Sequence, residues 1–242
     1  MIKKNRIDAL ILCGGFGTRL KKISKGIPKA LIGIKKDKVF LDFLINKLLK
    51  LDCLSKIYLC VHYKKENFKR YIKNKKLHNK VFISYEKIPL GTSGAVKNLV
   101  LNKKNTSQSF LIINGDSYSK IDLKKFIYAF YNKKKNLIAL SKVKNSKRYG
   151  SFKLNGEKIH SIIKDNSNPG WINNGYYLLS KKDTKYLDYY KNLEDELFLK
   201  INKKNNLLAF KVKKDNFIDI GTIVDYKKFK KKCSKNLKLV IG

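Results

Sequence analysis

The sequence predicts an α/β fold in which a mainly parallel sheet is covered by helices on both faces. Two observations predict this fold: strand-like and helix-like segments alternate along the chain, and the first strand-like run enters a glycine-rich turn. Alternation is typical of parallel sheets, because each crossover between parallel strands needs a long connection such as a helix. At 242 residues the chain can bury a full core, and one domain over residues 1–242 is expected.

The first half of the chain contains the most regular patterns. Ile7–Leu12 is mostly apolar and predicts a buried strand. Asp122 is expected to cap a helix whose apolar residues recur at helical spacing between 123 and 130. Between these two elements we expect helices at 41–51, 64–73 and 94–101, and strands at 57–61, 81–85 and 110–113.

The pattern changes after a strand at 137–143. Residues 152–163 alternate between apolar and polar around Asn155-Gly156, a strong indication of a hairpin with a two-residue turn. Thr222 is expected to cap a closing helix with Asp225 in its first turn. The remaining elements are expected at 172–179 (strand), 194–203 (helix) and 217–220 (strand).

Composition and charge exclude several functional classes. No apolar run reaches about 18 residues, so no membrane-spanning helix is expected. The apolar run after the basic start is too short for a signal peptide, which favours a cytoplasmic protein. The four cysteines have neither metal-ligand spacing nor the density of a disulfide scaffold.

The net charge of +38 invites a nucleic-acid interpretation, but the lysines are spread along the whole chain rather than gathered into one motif. We therefore expect small-molecule substrates, with no specific nucleic-acid partner and no membrane partner. The sequence leaves the oligomeric state open, a homo-oligomer included.

The turn after the first strand, Leu12-Cys-Gly-Gly-Phe-Gly-Thr-Arg-Leu20, is the most informative segment. Its three glycines let backbone N–H groups approach a phosphate or a base closely. Arg19 and the nearby Lys29 add two cations that suit phosphate oxygens. The missing Gly-Lys-Ser/Thr argues against a P-loop. A dinucleotide-binding turn fits poorly, because Leu20 replaces the third glycine and Asp37 lies in a lysine-rich turn.

Two acids stand in distinctive contexts. Asp116 follows a buried strand through Asn114-Gly115, at the edge where an open α/β sheet binds its ligands. Asp219 lies in Phe217-Ile-Asp-Ile-Gly221, an apolar setting in which a lone carboxylate would be costly. Each has a simpler alternative explanation, as a turn residue and as a helix-capping residue respectively. Together with the glycine loop they favour one shared Mg²⁺ site that also binds substrate phosphates.

These motifs, in this order, resemble the sugar-1-phosphate nucleotidyltransferase family. The segments that carry the resemblance extend from residue 7 to about 230: residues 12–20, Pro28-Lys29, Pro89-Leu-Gly-Thr-Ser-Gly-Ala95, Asn114-Gly-Asp116 and Phe217-Ile-Asp-Ile-Gly221. Tyr149-Gly-Ser-Phe152 and the segment 171–179 are most similar to the branch that contains D-glycero-D-manno-heptose 1-phosphate guanylyltransferases. The resemblance implies a Rossmann-like nucleotidyltransferase fold with a mixed, mostly parallel central sheet and a small antiparallel sugar-binding hairpin region.

The same resemblance implies transfer of a nucleoside monophosphate from a triphosphate to a sugar 1-phosphate, with release of pyrophosphate, for surface polysaccharide synthesis. Arg19 and Lys29 would be the catalytic cations, and Asp116 and Asp219 would hold Mg²⁺. The nucleotide would contact Leu12, Gly14, Gly15, Gly17, Thr18, Glu86, Gly91, Thr92 and Ser93. The sugar phosphate would contact Asn114, Gly150, Lys164, Asn173 and Asn174.

Two of these sugar positions depart from the family pattern or have an alternative. Ile163 stands where the family usually has an acid before the lysine, and no proline follows Lys164. Asn174-Gly175 matches the sugar contact, although Asn173 could supply the amide instead.

Glu86 favours guanine as the base. A carboxylate accepts two hydrogen bonds and donates none, and guanine offers adjacent donors at N1 and its N2 amino group. We therefore expect a guanylyltransferase that makes GDP-heptose from GTP. The alternatives are an exposed strand-end role for Glu86, a mannose-1-phosphate guanylyltransferase, and a uridylyl- or thymidylyltransferase on another sugar 1-phosphate. From a different class, the alternative is a basic nucleic-acid-binding protein on a degenerate nucleotidyltransferase scaffold.

Overall fold

The computed structural model describes residues 6–103, 105–163, 168–212 and 217–235. Its strands are β1 (Ile7–Leu12), β2 (Gly33–Lys35), β3 (Lys38–Val39), β4 (Leu54–Val61), β5 (Val81–Tyr85), β6 (Ser109–Asn114), β7 (Ser117–Ser119), β8 (Asn136–Val143), β9 (Ser151–Asn155), β10 (Lys158–Ile163), β11 (Gly170–Ser180), β12 (Leu207–Val212) and β13 (Phe217–Asp219). Its helices are α1 (Lys21–Ser24), α2 (Phe40–Leu49), α3 (Lys65–Asn74), α4 (Gly91–Asn102), α5 (Leu123–Lys133), α6 (Leu193–Glu196), which continues into a π-helical turn (Leu197–Asn202), and α7 (Ile223–Lys235). Among the described residues, no helix has the length and apolar character needed to cross a bilayer.

A mixed sheet forms the centre of the described residues, with the strand order β5-β4-β1-β6-β11-β8-β12-β10-β9. Strands β5, β4, β1 and β6 are parallel, and β8 is parallel to β12. In contrast, β11 is antiparallel to both β6 and β8, and β10 is antiparallel to β9 and β12. The predicted α/β fold with a mixed sheet is confirmed. The antiparallel part is larger than the predicted hairpin because it includes β11.

The sheet separates two apolar clusters. In β1, Ile7, Ala9 and Ile11 face a cluster that α2, α5 and α7 cover. Leu10 faces the other cluster, together with residues of α4 and of the segment 193–201. This alternation follows from the two-residue period of a strand. Because helices cover both faces, β1 is apolar along nearly its whole length.

Most predicted elements form close to their expected positions. Strand β5 has the predicted ends, and Asp122 caps α5 by accepting the Lys125 N–H at 3.0 Å. Helix α4 starts at Gly91, earlier than the expected residue 94. The hairpin loop consists of residues 156–157 rather than 155–156, because Asn155 still pairs with Lys158. Strands β2, β3, β7 and β12 are not predicted, since the first three are too short to show a period and β12 does not alternate cleanly.

Strands β1 and β6 bring two of the predicted motifs to one edge of the sheet. They pair in register up to Leu12 opposite Asn114. Beyond that point the Gly115 N–H donates to the Leu12 carbonyl oxygen at 3.0 Å. A Cβ atom at residue 115 would lie 2.6 Å from the same oxygen, closer than such atoms come in folded proteins. Glycine at 115 therefore allows the loop after β6 to lie against the loop after β1.

We expect Gly115→Ala to destabilise the protein by about 1–3 kcal/mol, because the backbone must move to relieve this contact. Gly33→Ala is the matched control, since no atom lies within 4 Å of a Cβ there, and its effect should stay within about 0.5 kcal/mol. Urea unfolding measures both variants. Equal stability of the two would contradict the close approach of the loops.

Candidate active site

The glycine loop leaves β1 at Leu12 and ends in a short 3-10 turn, Thr18–Leu20. Gly17 adopts the left-handed conformation, with φ of +62°. Leu20 is buried, whereas Thr18 and Arg19 are exposed. The buried leucine thus anchors the turn in the core and leaves the Arg19 guanidinium at the surface beside the loop.

A cavity of about 260 Å³ lies beside this loop. Residues of the loop and residues around the start of α4 share its lining, which is mostly apolar, and such a lining with a few polar groups is typical of a small-molecule site. The lining residues are Leu12, Gly14, Gly15, Phe16, Cys60, Glu86, Pro89, Leu90, Gly91, Thr92, Ala95 and Asn192. Six of the predicted nucleotide contacts therefore line one cavity: Leu12, Gly14, Gly15, Glu86, Gly91 and Thr92.

Glu86 is a buried carboxylate in the lining of this cavity, with only 4% of the residue exposed. Its Oε2 accepts the Leu90 N–H at 3.3 Å. Its Oε1 lies 3.5 Å from where a Cβ on Gly14 would stand, so the carboxylate reaches the glycine loop. Burial raises the pKa of Glu86, and the Leu90 N–H and His62 partly offset that rise. The alternative in which Glu86 is an exposed strand-end residue is wrong.

The start of α4 is tied to the segment before α6. Gly91 has φ of +74°, and a Cβ there would lie 2.6 Å from the Lys191 carbonyl oxygen. Thr92 Oγ1 accepts the Leu193 N–H at 2.8 Å. Ser93 is fully buried and donates its backbone N–H to the Lys191 carbonyl oxygen at 3.0 Å. It does not line the cavity beside the glycine loop. The nucleotide contact of Ser93 stays a prediction, and its buried Oγ has no hydrogen-bond partner among the described residues.

A second cavity, of about 190 Å³, shares Leu12, Gly15 and Thr92 with the first. It is also lined by Gly17, Lys29, Asn114 and Asp116, so Lys29 and one of the two predicted metal ligands lie beside the first cavity. Cys13 is part of this lining as well. Burial, followed by the charges of Asp116 and Glu86, raises the pKa of the Cys13 thiol far above its ordinary value. The thiol therefore stays neutral and is a filler of the strand end rather than a nucleophile.

The two candidate metal ligands meet through a small antiparallel ladder. Strand β13 pairs with β7 so that Asp219 stands opposite Ser117, and the Ile220 N–H donates to the Asp116 carbonyl oxygen at 2.9 Å. Burial, and then the charge of Asp116, raises the pKa of the Asp219 carboxyl. Two carboxylates that repel each other in a partly buried site are stabilised by a cation between them.

Both carboxylates have basic partners in the structure. Lys29 forms an ion pair with Asp116, whose Oδ1 also accepts the Ser117 hydroxyl at 3.1 Å. Asp219 accepts the Gly221 N–H at 2.6 Å and pairs with Arg148 at 2.6 Å. Lys29 and Asp116 line the same cavity as the glycine loop, as the sequence predicts for the phosphate site.

The donor set fits Mg²⁺ rather than a metal held entirely by the protein. No cluster of three or more His, Cys, Asp or Glu side chains that could hold a metal is found in the described ranges. Mg²⁺ is commonly bound by one or two carboxylates, with water and substrate phosphates completing its oxygen ligands. Asp116 and Asp219 supply that number of carboxylates beside the cavity that Lys29 and the glycine loop line.

One predicted sugar contact, Gly150, lines a larger cavity of about 710 Å³, whereas Asn114 lines the second cavity. The lining of the larger cavity includes Arg148, Tyr149, Gly150 and Glu194. The Asn173 side chain donates to the Glu194 Oε2 at 2.6 Å and to the Tyr177 hydroxyl at 2.5 Å. Asn173 thus fixes the position of Glu194 at the wall of the cavity that Gly150 lines.

Asn174 and Lys164 are two further predicted sugar contacts. Asn174 is fully buried, and its amide donates to the Ser119 and Ser141 hydroxyls, each at 3.3 Å. Asn174 therefore points into the protein, whereas Asn173 points towards Glu194, because successive residues of a strand point to opposite sides. The sugar contact of either asparagine stays a prediction. Lys164 lies outside the described residues.

Sequence reasoning did not identify Arg148, Glu194 or the pairing of Asp225. Arg148 directly precedes the Tyr149-Gly150 motif. It pairs with both Asp219 and Asp225. Thr222 caps α7 as predicted, since its Oγ1 accepts the Asp225 N–H at 3.2 Å. The cluster of acids at 194–196 is a sequence feature that could have pointed to Glu194.

Comparison with known proteins identifies the family. A family model described as nucleotidyl transferase matches residues 8–236. The chain belongs to this family. It is 37% identical over 225 residues to D-glycero-alpha-D-manno-heptose 1-phosphate guanylyltransferase of Campylobacter jejuni, which covers 92% of this chain and 98% of that protein. It is 30% identical to the protein of the same name from Aneurinibacillus thermoaerophilus, over 93% of this chain and 97% of that protein.

A solved structure of a family relative agrees with the described fold. The chain is similar to HddC from Yersinia pseudotuberculosis, with a TM-score of 0.76 and 35% identity over 93% of this chain and 98% of that one. HddC complexed with GMP-PN gives a TM-score of 0.72. The predicted nucleotidyltransferase fold and the family resemblance are thereby confirmed.

The raised pKa of Glu86 predicts a pH-dependent effect of Glu86→Gln on stability. A carboxyl whose pKa is higher in the folded than in the unfolded state binds more protons when folded, so stability decreases as pH rises between the two values. Glu86→Gln removes this penalty. We expect the variant to be more stable than the wild type at pH 8 and to lose that advantage towards pH 4.

Urea unfolding at the two pH values measures the difference. Glu157→Gln is the control, because this glutamate is an exposed hairpin residue paired with Lys133. A Glu86→Gln protein that is no more stable than the wild type at pH 8 would show that the buried carboxylate carries no such penalty.

Proposed function

We propose that this protein transfers GMP from GTP to a sugar 1-phosphate, D-glycero-D-manno-heptose 1-phosphate, to form a GDP-heptose. The observation that carries the reaction type is the adjacency of Asp116 and Asp219, next to the cavity that Lys29 and the glycine loop line. Family membership and the heptose 1-phosphate guanylyltransferases named above support the same reaction.

The proposed reaction is an in-line displacement at the α-phosphorus of GTP. An oxygen of the sugar phosphate forms a new bond to that phosphorus, the bond to the β-phosphate bridging oxygen breaks, and pyrophosphate leaves with the electron pair. No covalent bond to the enzyme is required, so catalysis depends on positioning and on neutralisation of negative charge.

The chain's own residues supply most of that neutralisation. Lys29 would neutralise charge on the phosphates near the α-phosphorus, and the exposed Arg19 would neutralise the departing pyrophosphate. Asp116 and Asp219 would hold Mg²⁺, whose positive charge stabilises the phosphate oxygens of both substrates. Before metal binds, Lys29 offsets the charge of Asp116, which limits the repulsion between the two aspartates.

Glu86 supports guanine as the base. Its carboxylate is buried in the lining of the base cavity and faces the glycine loop, whose backbone would hold the base. Guanine would place two donors against this acceptor, whereas uracil or thymine would turn a carbonyl oxygen towards it. The HddC complex with GMP-PN is consistent with this choice.

Asn173 and Glu194 support the sugar assignment. Their hydrogen bond fixes Glu194 in the lining of the large cavity beside Gly150. A carboxylate held in one orientation can accept hydrogen bonds from sugar hydroxyl groups, and it supplies the acidic group that Ile163 does not. The volume of about 710 Å³ accommodates a seven-carbon sugar.

Asp116→Asn tests the reaction type. We expect pyrophosphate release to fall by at least about a hundredfold, because one of the two charged metal ligands is lost. Asp122→Asn is the matched control: Asp122 caps α5 outside the site, and asparagine caps equally well. Circular dichroism and thermal melting check folding. Turnover of Asp116→Asn at the control's rate would contradict the proposal.

A pyrophosphate-release screen tests the substrates. We expect GTP to be preferred over ATP, UTP and dTTP, and D-glycero-D-manno-heptose 1-phosphate over mannose 1-phosphate and glucose 1-phosphate. Glu86→Gln should lower kcat/KM for GTP about ten- to hundredfold, because a hydrogen-bonded charge is lost at the base. Glu66→Gln, at an exposed position of α3, should leave it unchanged. Equal use of UTP by the wild type would reject the guanine assignment.

A further inference from the structure

Arg148 bridges two acidic residues beside the proposed metal site. Its Nη2 donates to the Asp219 Oδ2 at 2.6 Å, and its Nη1 donates to the Asp225 carboxylate. The guanidinium also lies 5.1 Å from the centre of the Tyr149 ring, which packs against Phe217. Arg148 thus contacts β13 through Asp219, the first turn of α7 through Asp225, and its own loop through Tyr149.

Both oxygens of Asp219 are engaged in this arrangement. Oδ1 accepts the Gly221 N–H at 2.6 Å, and Oδ2 accepts Arg148. The bond between Oδ1 and the Gly221 N–H lies in the turn between β13 and α7. A metal ion that binds Asp219 through Oδ2 therefore takes the position that Arg148 now contacts.

Arg148 is also part of the wall of the large cavity. It lines that cavity together with Tyr149 and Gly150, and its side chain is 32% exposed. Arg148 thus contacts the Asp219 carboxylate and also lines the cavity that we assign to the sugar 1-phosphate. Planar guanidinium groups form paired hydrogen bonds with phosphate as readily as with carboxylate.

The charges make an exchange of partners favourable. A divalent cation on Asp116 and Asp219 adds two positive charges next to Arg148, and the doubly charged phosphate of a sugar 1-phosphate restores the balance. Asp225 holds the other side of the guanidinium, and Thr222 donates to Asp225 at 2.7 Å, so this anchor does not depend on the metal.

We propose that Arg148 competes with the divalent cation for Asp219 and, once the cation binds, turns to the phosphate of the sugar 1-phosphate while Asp225 keeps it anchored. This inference rests on the proposed function, which assigns the metal to Asp116 and Asp219. Arg148 thereby couples metal binding to sugar-phosphate binding, and each ligand raises the affinity for the other.

Direct binding of Mn²⁺ to the protein without substrates tests the competition. We expect Arg148→Gln to bind Mn²⁺ about threefold or more tightly than the wild type, because Asp219 Oδ2 loses its competing donor. Lys147→Gln removes the same charge one residue away and should change the affinity by less than about twofold. Arg148→Lys, which keeps the charge but has a single donor group, should lie between the wild type and Arg148→Gln. Thermal melting verifies that each variant is folded.

Calorimetric binding of D-glycero-D-manno-heptose 1-phosphate tests the exchange. In the presence of Mn²⁺ we expect Arg148→Gln to bind it about tenfold more weakly than the wild type. Without Mn²⁺ the difference should shrink, because Arg148 is then engaged by Asp219. A purely structural role for Arg148 would weaken binding equally with and without the metal.

The outcomes separate this inference from the proposed function. The role of Arg148 alone is overturned if the Arg148→Gln and Lys147→Gln variants bind Mn²⁺ equally well. It is also overturned if Arg148→Gln loses sugar-phosphate affinity to the same extent with and without Mn²⁺. Absence of Mn²⁺ binding in both the wild type and Arg148→Gln overturns the metal site and this inference together. Mn²⁺ binding as expected, without guanylyl transfer in the substrate screen, overturns only the proposed reaction.

Discussion

The ladder between β13 and β7 is the constraint on which the site depends. It holds Asp219 opposite Ser117 and therefore next to Asp116, although the two acids are far apart in the chain. The raised pKa of Asp219 reflects first its burial and then the charge of Asp116. Lys29 and Arg148 offset the charge from two sides. The two acids thus create a need for positive charge at the site, which these two cations meet in the described structure.

Features that depend on runs of apolar residues, or on a residue type suited to a turn or a helix cap, were predictable from the sequence. The apolar run of β1, the cap at Asp122 and the glycine-rich loop each have a local physical cause, and all three form as expected. The meeting of Asp116 and Asp219 was predictable only because the motifs occurred together in family order. Neither acid alone carried enough information, since a strand end and a helix cap also favour aspartate.

Features that depend on tertiary register were not predictable. Asn173 and Asn174 are neighbours of the same residue type, yet one faces Glu194 and the other is enclosed between Ser119 and Ser141. Their sides follow from the register of β11, which shifts between Asn173 and Tyr177 against β8. Arg148 was missed for the same reason, because its two partners are brought to it by β13 and α7, which are distant in the sequence.

The basic composition and the acidic residues of the site give different information about the ligand. A net charge of +38 raises the local concentration of any anion, so by itself it cannot distinguish a polynucleotide from a nucleoside triphosphate. The buried acids argue against binding of phosphate chains through charge alone. Glu86 is unfavourable in the free protein, as its raised pKa indicates, and a base with two donors would convert that desolvated acceptor into a pair of hydrogen bonds. A protein that bound phosphate chains through charge alone would have no use for such a group beside its glycine loop.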